Sequence, residues 1–238
     1  MATINVTEES NNFENFEIFY FYLIVLLIGC FCFYLWYKKK QIKKKEVSYE
    51  DKLIEFPNLA FYRNEIPSKP NGDYIENILT HWKGNNNILE TNHSYIQWLF
   101  PNRMYGVNPE ASVLRDEEVK FIRCSAELRE RVKRAFEMML EFYGMRLTSN
   151  NKFERAKNSK ERLAELNIWN NHNFLRISRI LLALKELGHQ ELMLPWMKFL
   201  AELIYKEKVL TCAESSFETY WLETLDAEDK IESKNASE

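Results

Sequence analysis

Glycine, proline and cysteine are all scarce in this sequence. Its 238 residues include six glycines, six prolines and four cysteines. So few turn-forming residues exclude a turn-rich β protein and a long flexible linker, because both depend on glycine and proline. Apolar residues make up 46% of the chain, which is ample for one buried core. The composition therefore favours a helical domain.

Patterns that bind metals or cofactors are also missing from the sequence. The cysteines show no C-x-x-C spacing and no pairing with histidine, so neither a zinc site nor a disulfide framework is expected. No phosphate-binding glycine loop and no nucleophile motif occurs. The four histidines are scattered along the chain: His81, His93, His172 and His189. We predict a protein without metal, without cofactor and without catalytic residues.

Basic residues are concentrated in one short run. The net charge is −3, yet residues 38–45 contain six lysines and residues 1–17 contain no lysine or arginine. The remainder of the chain is therefore mildly acidic, which is unfavourable for contact with a phosphate backbone. We expect no nucleic-acid partner.

Charged residues are absent from Ile18 to Tyr37. As a helix this run would extend about 30 Å, the thickness of a bilayer core, and aromatic residues lie at both of its ends. The pattern predicts a transmembrane helix that contacts lipid together with Lys38 to Lys45. The lysines after the span predict a single-pass protein with a lumenal or extracellular N-terminus and a cytosolic C-terminal domain, in a membrane that the sequence does not identify.

The rest of the sequence predicts an all-α fold, an irregular bundle of seven to eight helices in addition to the transmembrane helix. Ser125 to Tyr143 has the clearest helical periodicity, with Ser125 as its N-cap and Gly144 after its end. Another helix is predicted from about Asn87 to Phe100, and Asn173 is predicted to cap a helix over 174–187. Residues 146–160 are predicted to form a surface loop, and no segment alternates as a strand would. The predicted segments are an acidic N-terminus (1–17), the span (18–37), a basic connector (38–57), the helical domain (58–225) and an acidic tail (226–238).

Seven side chains are candidates for ligand binding. Trp82, Tyr95 and Trp98 have helical spacing, so they are either core residues or the lining of a groove for a short aromatic peptide. Glu90 and His93 lie three residues apart and can meet on one helical face, either as a surface hydrogen bond or as an acid–base pair. Arg176 and Arg179 either pair with buried carboxylates or bind an anionic ligand.

Several sequence blocks carry a family resemblance. They are Asn-Leu-Ala-Phe-Tyr at 58–62, His-Ser-Tyr-Ile-Gln-Trp-Leu-Phe-Pro at 93–101, Met-Met-Leu-Glu-Phe-Tyr-Gly-Met-Arg-Leu at 138–147 and Asn-His-Asn-Phe-Leu-Arg-Ile-Ser-Arg-Ile-Leu at 171–181. In this order, over about residues 58–225, the chain resembles the conserved region of the opioid growth factor receptor family.

The resemblance implies a non-enzymatic receptor that binds an opioid peptide such as Met-enkephalin and restrains cell proliferation. It implies no particular binding residue. A helical scaffold tethered to the membrane and binding another protein is the first alternative. An enzyme with an unrecognised site near Glu90, His93, Arg176 and Arg179 is the second. The predicted topology would keep the domain from a secreted peptide, which favours an intracellular ligand or a cytosolic protein partner.

Overall fold

The computed structural model describes residues 27–40, 55–227, 229–230 and 233, and the chain divides into two compact units. The first unit is Met1–Glu55, in which residues 27–40 form a helix. The second unit is Phe56–Glu238 and carries the helical domain. The predicted boundaries of the five sequence segments stay a prediction.

The predicted transmembrane helix, Ile18 to Tyr37, is wrong. In the part of the chain that the structure describes, no helix has both the length and the apolar character that crossing a membrane requires. Spanning a bilayer takes about 20 apolar residues, whereas the described helix covers 27–40 and ends in three lysines. The single-pass topology, with its lumenal N-terminus and cytosolic domain, rested on this span and is withdrawn. Residues 18–26 of the predicted span and 41–45 of the lysine run lie outside the described residues.

The helical domain begins with short helices and continues with longer ones. The α-helices are α1 (Pro57–Tyr62), α2 (Ile75–Asn77), α3 (Asn86–Thr91), α4 (Ile96–Leu99), α5 (Asp116–Cys124), α6 (Ala126–Phe142), α7 (Ser159–Leu166), α8 (Asn173–Glu186), α9 (Met193–Ala201) and α10 (Glu214–Ser216). Wider π turns extend three of them: Ile78–Trp82 after α2, Glu202–Lys206 after α9 and Phe217–Trp221 after α10. Short 3-10 turns lie at Gln190–Leu192, Thr211–Ala213 and Leu222–Thr224. The predicted all-α class is confirmed, but the elements are shorter and more numerous than predicted.

Helix α6 begins and ends as its sequence predicts. The Ser125 hydroxyl accepts a hydrogen bond from the backbone N–H of Leu128 at 3.3 Å, which satisfies one of the free donors of the first turn. Gly144 follows the helix with φ +81°, a conformation that side chains disfavour. A Cβ at this position would lie 2.9 Å from Cα of Ser159, so only glycine lets α7 approach the end of α6.

A two-stranded hairpin occupies part of the predicted 146–160 loop. Strands β1 (Met145–Leu147) and β2 (Phe153–Arg155) pair antiparallel, with Arg146 opposite Glu154. The prediction that no strand occurs is wrong because three-residue strands are too short to show alternation in the sequence. Phe153 on β2 packs on Trp196 of α9, with the ring centroids 6.5 Å apart, so the hairpin is held by the core.

The predicted helix from Asn87 to Phe100 is interrupted. Helix α3 ends at Thr91, Asn92 is extended with φ −80° and ψ 118°, and α4 starts at Ile96. Glu90 and His93 therefore do not share a helical face, although their spacing of three allowed it. The break leaves the last carbonyl groups of α3 without partners in their own helix.

A buried carboxylate joins α5 to α1. Glu118 is fully buried, and its oxygens accept from the backbone N–H groups of Asn58 (2.9 Å), Leu59 (3.2 Å) and Arg115 (3.0 Å). The side-chain amide of Asn58 donates a fourth hydrogen bond at 3.0 Å. Four donors compensate the cost of burying the charge, so this side chain fixes the start of both helices.

We expect Glu118→Ala to lower the free energy of unfolding by about 3 kcal/mol, because it leaves these buried donors without acceptors. Glu118→Gln keeps the shape and one acceptor oxygen, so its loss is expected to be smaller. The measurement is urea unfolding, with Glu117→Ala on the exposed side of α5 as the matched control. A loss in the control equal to that in Glu118→Ala would contradict this account.

Candidate functional site

Arg176 on α8 donates hydrogen bonds to carbonyl groups at the C-terminal end of α3. Its Nη1 donates to the carbonyl of Leu89 at 2.7 Å, and its Nη2 donates to the carbonyls of Asn92 at 3.2 Å and Glu90 at 3.4 Å. The arginine is 5% exposed, and its guanidinium carbon lies 5.5 Å from the centre of the Tyr95 ring. A positive group at a helix C-terminus is favourable, and the planar fork reaches several carbonyls at once. Arg176 is thus bonded to main-chain carbonyls rather than to a carboxylate.

Two asparagines at the start of α8 orient this cluster. The predicted N-cap at Asn173 is wrong, because Asn173 is the first helical residue and His172 is the N-cap; the side-chain oxygen of Asn171 accepts from the backbone N–H of Asn173 at 2.9 Å. Asn173 instead accepts from Arg176 Nη1 at 3.1 Å and donates to the two Glu90 carboxylate oxygens at 3.3 and 3.5 Å. The start of α8 therefore holds both the main chain and the side chain of Glu90.

Glu90 and His93 belong to one group of side chains, because His172 contacts both of them. The His93 Nδ1 lies 3.3 Å from Arg176 Nη2 and accepts a hydrogen bond from it, since a guanidinium only donates. The His172 Nε2 lies 3.2 Å from a Glu90 oxygen, and the two imidazole rings meet edge to face at 5.3 Å. These three polar side chains form what we call the Glu90 cluster: Glu90, His93 and His172.

The electrostatic surroundings favour neutral His172. Partial burial lowers its pKa, and the positive charge of Arg176 lowers it further, while the Glu90 carboxylate acts in the opposite direction. A neutral ring 3.2 Å from Glu90 carries no positive charge to pair with the carboxylate. Within the described residues, no lysine or arginine makes a salt bridge with this carboxylate.

The other predicted site residues lie deeper in the domain. Trp82, Tyr95 and Trp98 are 7%, 0% and 2% exposed, and all three belong to the core. The Tyr95 hydroxyl donates to the Leu89 carbonyl at 2.9 Å and the Trp98 indole donates to Lys69 at 2.8 Å, so both polar ends are satisfied. Arg179 donates to the carbonyl of Phe100 at 3.0 Å, and burial lowers the pKa of its guanidinium. Of the seven candidates, His93 is exposed and Glu90 and Arg179 are partly exposed.

A cavity of about 430 Å³ opens beside the Glu90 cluster. Its lining comes from α3, the end of α6, α7 and the loop before α8: Glu90, Tyr143, Arg162, Glu165, Leu166, Ile168, Trp169, Asn170, Asn171, His172 and Asn173. Ile168 and Trp169 are 56% and 72% exposed, which is unusual for residues this large and apolar. Tyr143, Trp169 and His172 were not among the site residues proposed from the sequence. An Ile-Trp pair flanked by asparagines could have indicated exposed apolar side chains in a loop.

Throughout residues 27–40, 55–227, 229–230 and 233, no three histidine, cysteine or acidic side chains are placed to hold a metal ion. The molecule is a predominantly helical domain whose exposed polar cluster adjoins a small cavity. A family model described as the opioid growth factor receptor conserved region matches residues 51–234. The chain belongs to the opioid growth factor receptor family, as its sequence blocks predicted.

Curated relatives agree with this family. The opioid growth factor receptor of Homo sapiens is 50% identical over 148 residues, which are 61% of this chain and 22% of that protein. The receptor of Mus musculus is 46% identical over 166 residues, 68% of this chain and 26% of the relative. Opioid growth factor receptor-like protein 1 of Mus musculus is 39% identical over 190 residues, 79% of this chain and 40% of the relative. The chain thus spans less than half of each of these relatives, and no solved structure matches it significantly.

Replacing Arg176 is expected to destabilise the domain. Arg176→Met leaves the carbonyls of Leu89, Glu90 and Asn92 without this donor and should lower the free energy of unfolding by about 3 kcal/mol. Arg176→Lys keeps the charge but loses the planar fork, and about half of that loss is expected. Urea unfolding measures both, with Arg129→Lys at an exposed position as control. Wild-type stability in Arg176→Met would show that the carbonyls do not need this residue.

His172 is expected to titrate below the ordinary histidine value, and Glu90→Gln should lower its pKa further, since the carboxylate raises it. The measurement is an NMR pH titration of the imidazole C–H signals, with Glu161→Gln as the matched control. The folded state then binds the His172 proton more weakly than the unfolded chain does. Its contribution to stability is therefore complete above the ordinary value and lost as the pH falls below it. An unchanged or higher pKa in Glu90→Gln would contradict the pairing.

Proposed function

We propose that this protein is a non-enzymatic receptor-type binding protein whose ligand is a short opioid peptide of the enkephalin type. The carrying observation is the Glu90 cluster, which presents a carboxylate without a basic partner among the described residues, beside a cavity with exposed apolar walls. Such a site suits a small ligand with a positive group and an apolar group. The printed names of the relatives, opioid growth factor receptor, support a peptide ligand.

The arrangement of the arginines supports binding over catalysis. The guanidinium of Arg176 is occupied by main-chain carbonyls, and Arg179 bonds the carbonyl of Phe100. Neither is among the residues that line the cavity beside Glu90, so the acid–base enzyme suggested by Glu90, His93, Arg176 and Arg179 has less support. In this proposal Glu90 and His93 contact the ligand, and Arg176 positions them.

A protein partner is the second candidate, and a different surface favours it. Tyr105 and Val107, in the loop between α4 and α5, are 85% and 91% exposed. Large apolar side chains this exposed are frequent in interaction surfaces. In that case the domain would be a scaffold, and the peptide would not bind.

The receptor proposal is tested by titrating Met-enkephalin into the full-length chain in a calorimeter and by following the melting temperature. We expect saturable heat and a melting temperature that rises with peptide concentration, corresponding to about 2.7 kcal/mol of stabilisation at a hundredfold excess over Kd. A peptide of the same composition in scrambled order is the control. No heat and no shift in melting temperature at large excess would contradict the receptor function and favour the scaffold.

A further inference from the structure

One buried hydroxyl in the cavity wall has no hydrogen-bond partner. The Tyr143 side chain is 1% exposed, and no described residue bonds its hydroxyl. Burying an unpaired hydroxyl is unfavourable, so proteins satisfy most such groups. Its neighbour in the core, Tyr95, follows that rule by donating to Leu89. Tyr143 is one of the residues that line the 430 Å³ cavity.

The charges around the cavity are unbalanced in one place. Glu165 is neutralised by an ion pair with Arg162, and Arg162 is fixed by donating from Nε to the carbonyl of Phe142 at 2.6 Å. Glu90 contacts neutral partners, the His172 imidazole and the Asn173 amide. Glu90 is therefore the acidic residue of this lining without a direct ion pair to a described lysine or arginine, and the buried Arg176 guanidinium is bridged to it only through Asn173. A compact cation with several donors complements it, because one ammonium can bond both a carboxylate and a hydroxyl.

Part of the cavity lining is apolar and exposed. Trp169 and Ile168 lie in the loop between α7 and α8, and Asn170 next to them has a positive φ of 57°. The Trp169 indole is largely exposed to solvent, which is unfavourable for so large a ring. An indole face attracts both aromatic rings and ammonium groups.

We propose that this cavity binds a protonated primary amine attached to an aromatic ring, with its ammonium at Glu90 and the Tyr143 hydroxyl and its ring on Trp169. The inference rests on the proposed binding function and names the cavity and ligand group that it uses. The same chemistry occurs in a free arylalkylamine and at the N-terminus of a peptide with an aromatic first residue.

The test uses the full-length chain with 2-phenylethylamine as probe and 2-phenylethanol as its uncharged match. Calorimetry and the melting temperature should report binding of the amine and not of the alcohol. Glu90→Gln is expected to weaken binding about tenfold by removing the charge, and Trp169→Ala about fivefold by removing the indole face. Glu161→Gln and Tyr220→Ala, at positions that do not line the cavity, are the matched controls and should bind normally. Equal binding of amine and alcohol, or undiminished binding in Glu90→Gln and Trp169→Ala, would overturn the proposal.

Tyr143→Phe separates a ligand-binding role from a structural role. If the hydroxyl serves the ligand, its removal should leave the melting temperature of the free protein unchanged or higher and weaken amine binding about fivefold. If the hydroxyl stabilises the fold, the free protein should melt lower and bind normally, which would count against the proposal. The comparison needs no assumption about Glu90, so it stays informative if Glu90→Gln folds poorly.

N-acetylated Met-enkephalin distinguishes failure of this inference from failure of the receptor function. Acetylation removes the ammonium charge and leaves the rest of the peptide intact, so we expect it to abolish peptide binding. Equal binding of the acetylated and free peptides would overturn the cavity assignment and leave the receptor function standing. Binding of 2-phenylethylamine without binding of either peptide would uphold the cavity assignment and overturn the receptor function.

Discussion

The hydrogen bonds from Arg176 to the end of α3 are the interaction on which the site depends. A helix that stops inside a domain leaves carbonyl groups that water cannot reach, and each must find a donor. One guanidinium supplies donors to the carbonyls of Leu89, Glu90 and Asn92 and so lets the chain turn between α3 and α4. Without that turn, the predicted continuous helix would direct Glu90 and His93 differently. The charge of Arg176 also favours neutral His172, so the same residue shapes the electrostatics of the surface.

Buried polar groups in the described part of this domain are mostly well satisfied, which makes the exceptions informative. Glu118 receives four hydrogen bonds, and the buried ends of Tyr95 and Trp98 each find a carbonyl. Tyr143 lacks a partner among the described residues and lies where a cavity meets the core. Five other buried side-chain atoms of the described residues also lack a partner, so the Tyr143 hydroxyl is set apart by its place in the lining next to Glu90, on which the proposed amine site rests.

Family membership and local geometry carry different parts of the functional argument. The match over residues 51–234 shows which family the chain belongs to, and the relatives are named as receptors. The chain covers at most 40% of the length of the three relatives compared, so activities of those whole proteins reach this chain as proposals. The cavity beside Glu90 adds specific chemistry to the family assignment, because its lining includes the residues Glu90, Tyr143 and Trp169.

The sequence was sufficient to predict those elements that are stabilised by contacts between residues close together in the chain. The capped periodicity of Ser125 to Tyr143 located α6 to within a residue, because its cap, its apolar stripe and Gly144 act over three or four residues. The sequence blocks also determined the family. The predicted membrane span was wrong because an apolar run is a property of composition only. Crossing a bilayer also requires a helix of sufficient length and apolar character, which the helix described at 27–40 lacks.

Only the tertiary structure decided the site itself. Arg176 lies more than 80 residues from the carbonyls that it caps, and nothing near Leu89 in the sequence signals that an arginine on α8 will end the helix. Tyr143 follows α6, whereas Trp169 and His172 share the loop before α8, and packing brings both segments to one cavity. Helix periodicity and capping are short-range, so the sequence by itself determined the helical class and the family. The break, the charge balance and the cavity depend on long-range contacts, so they became visible only in the folded chain.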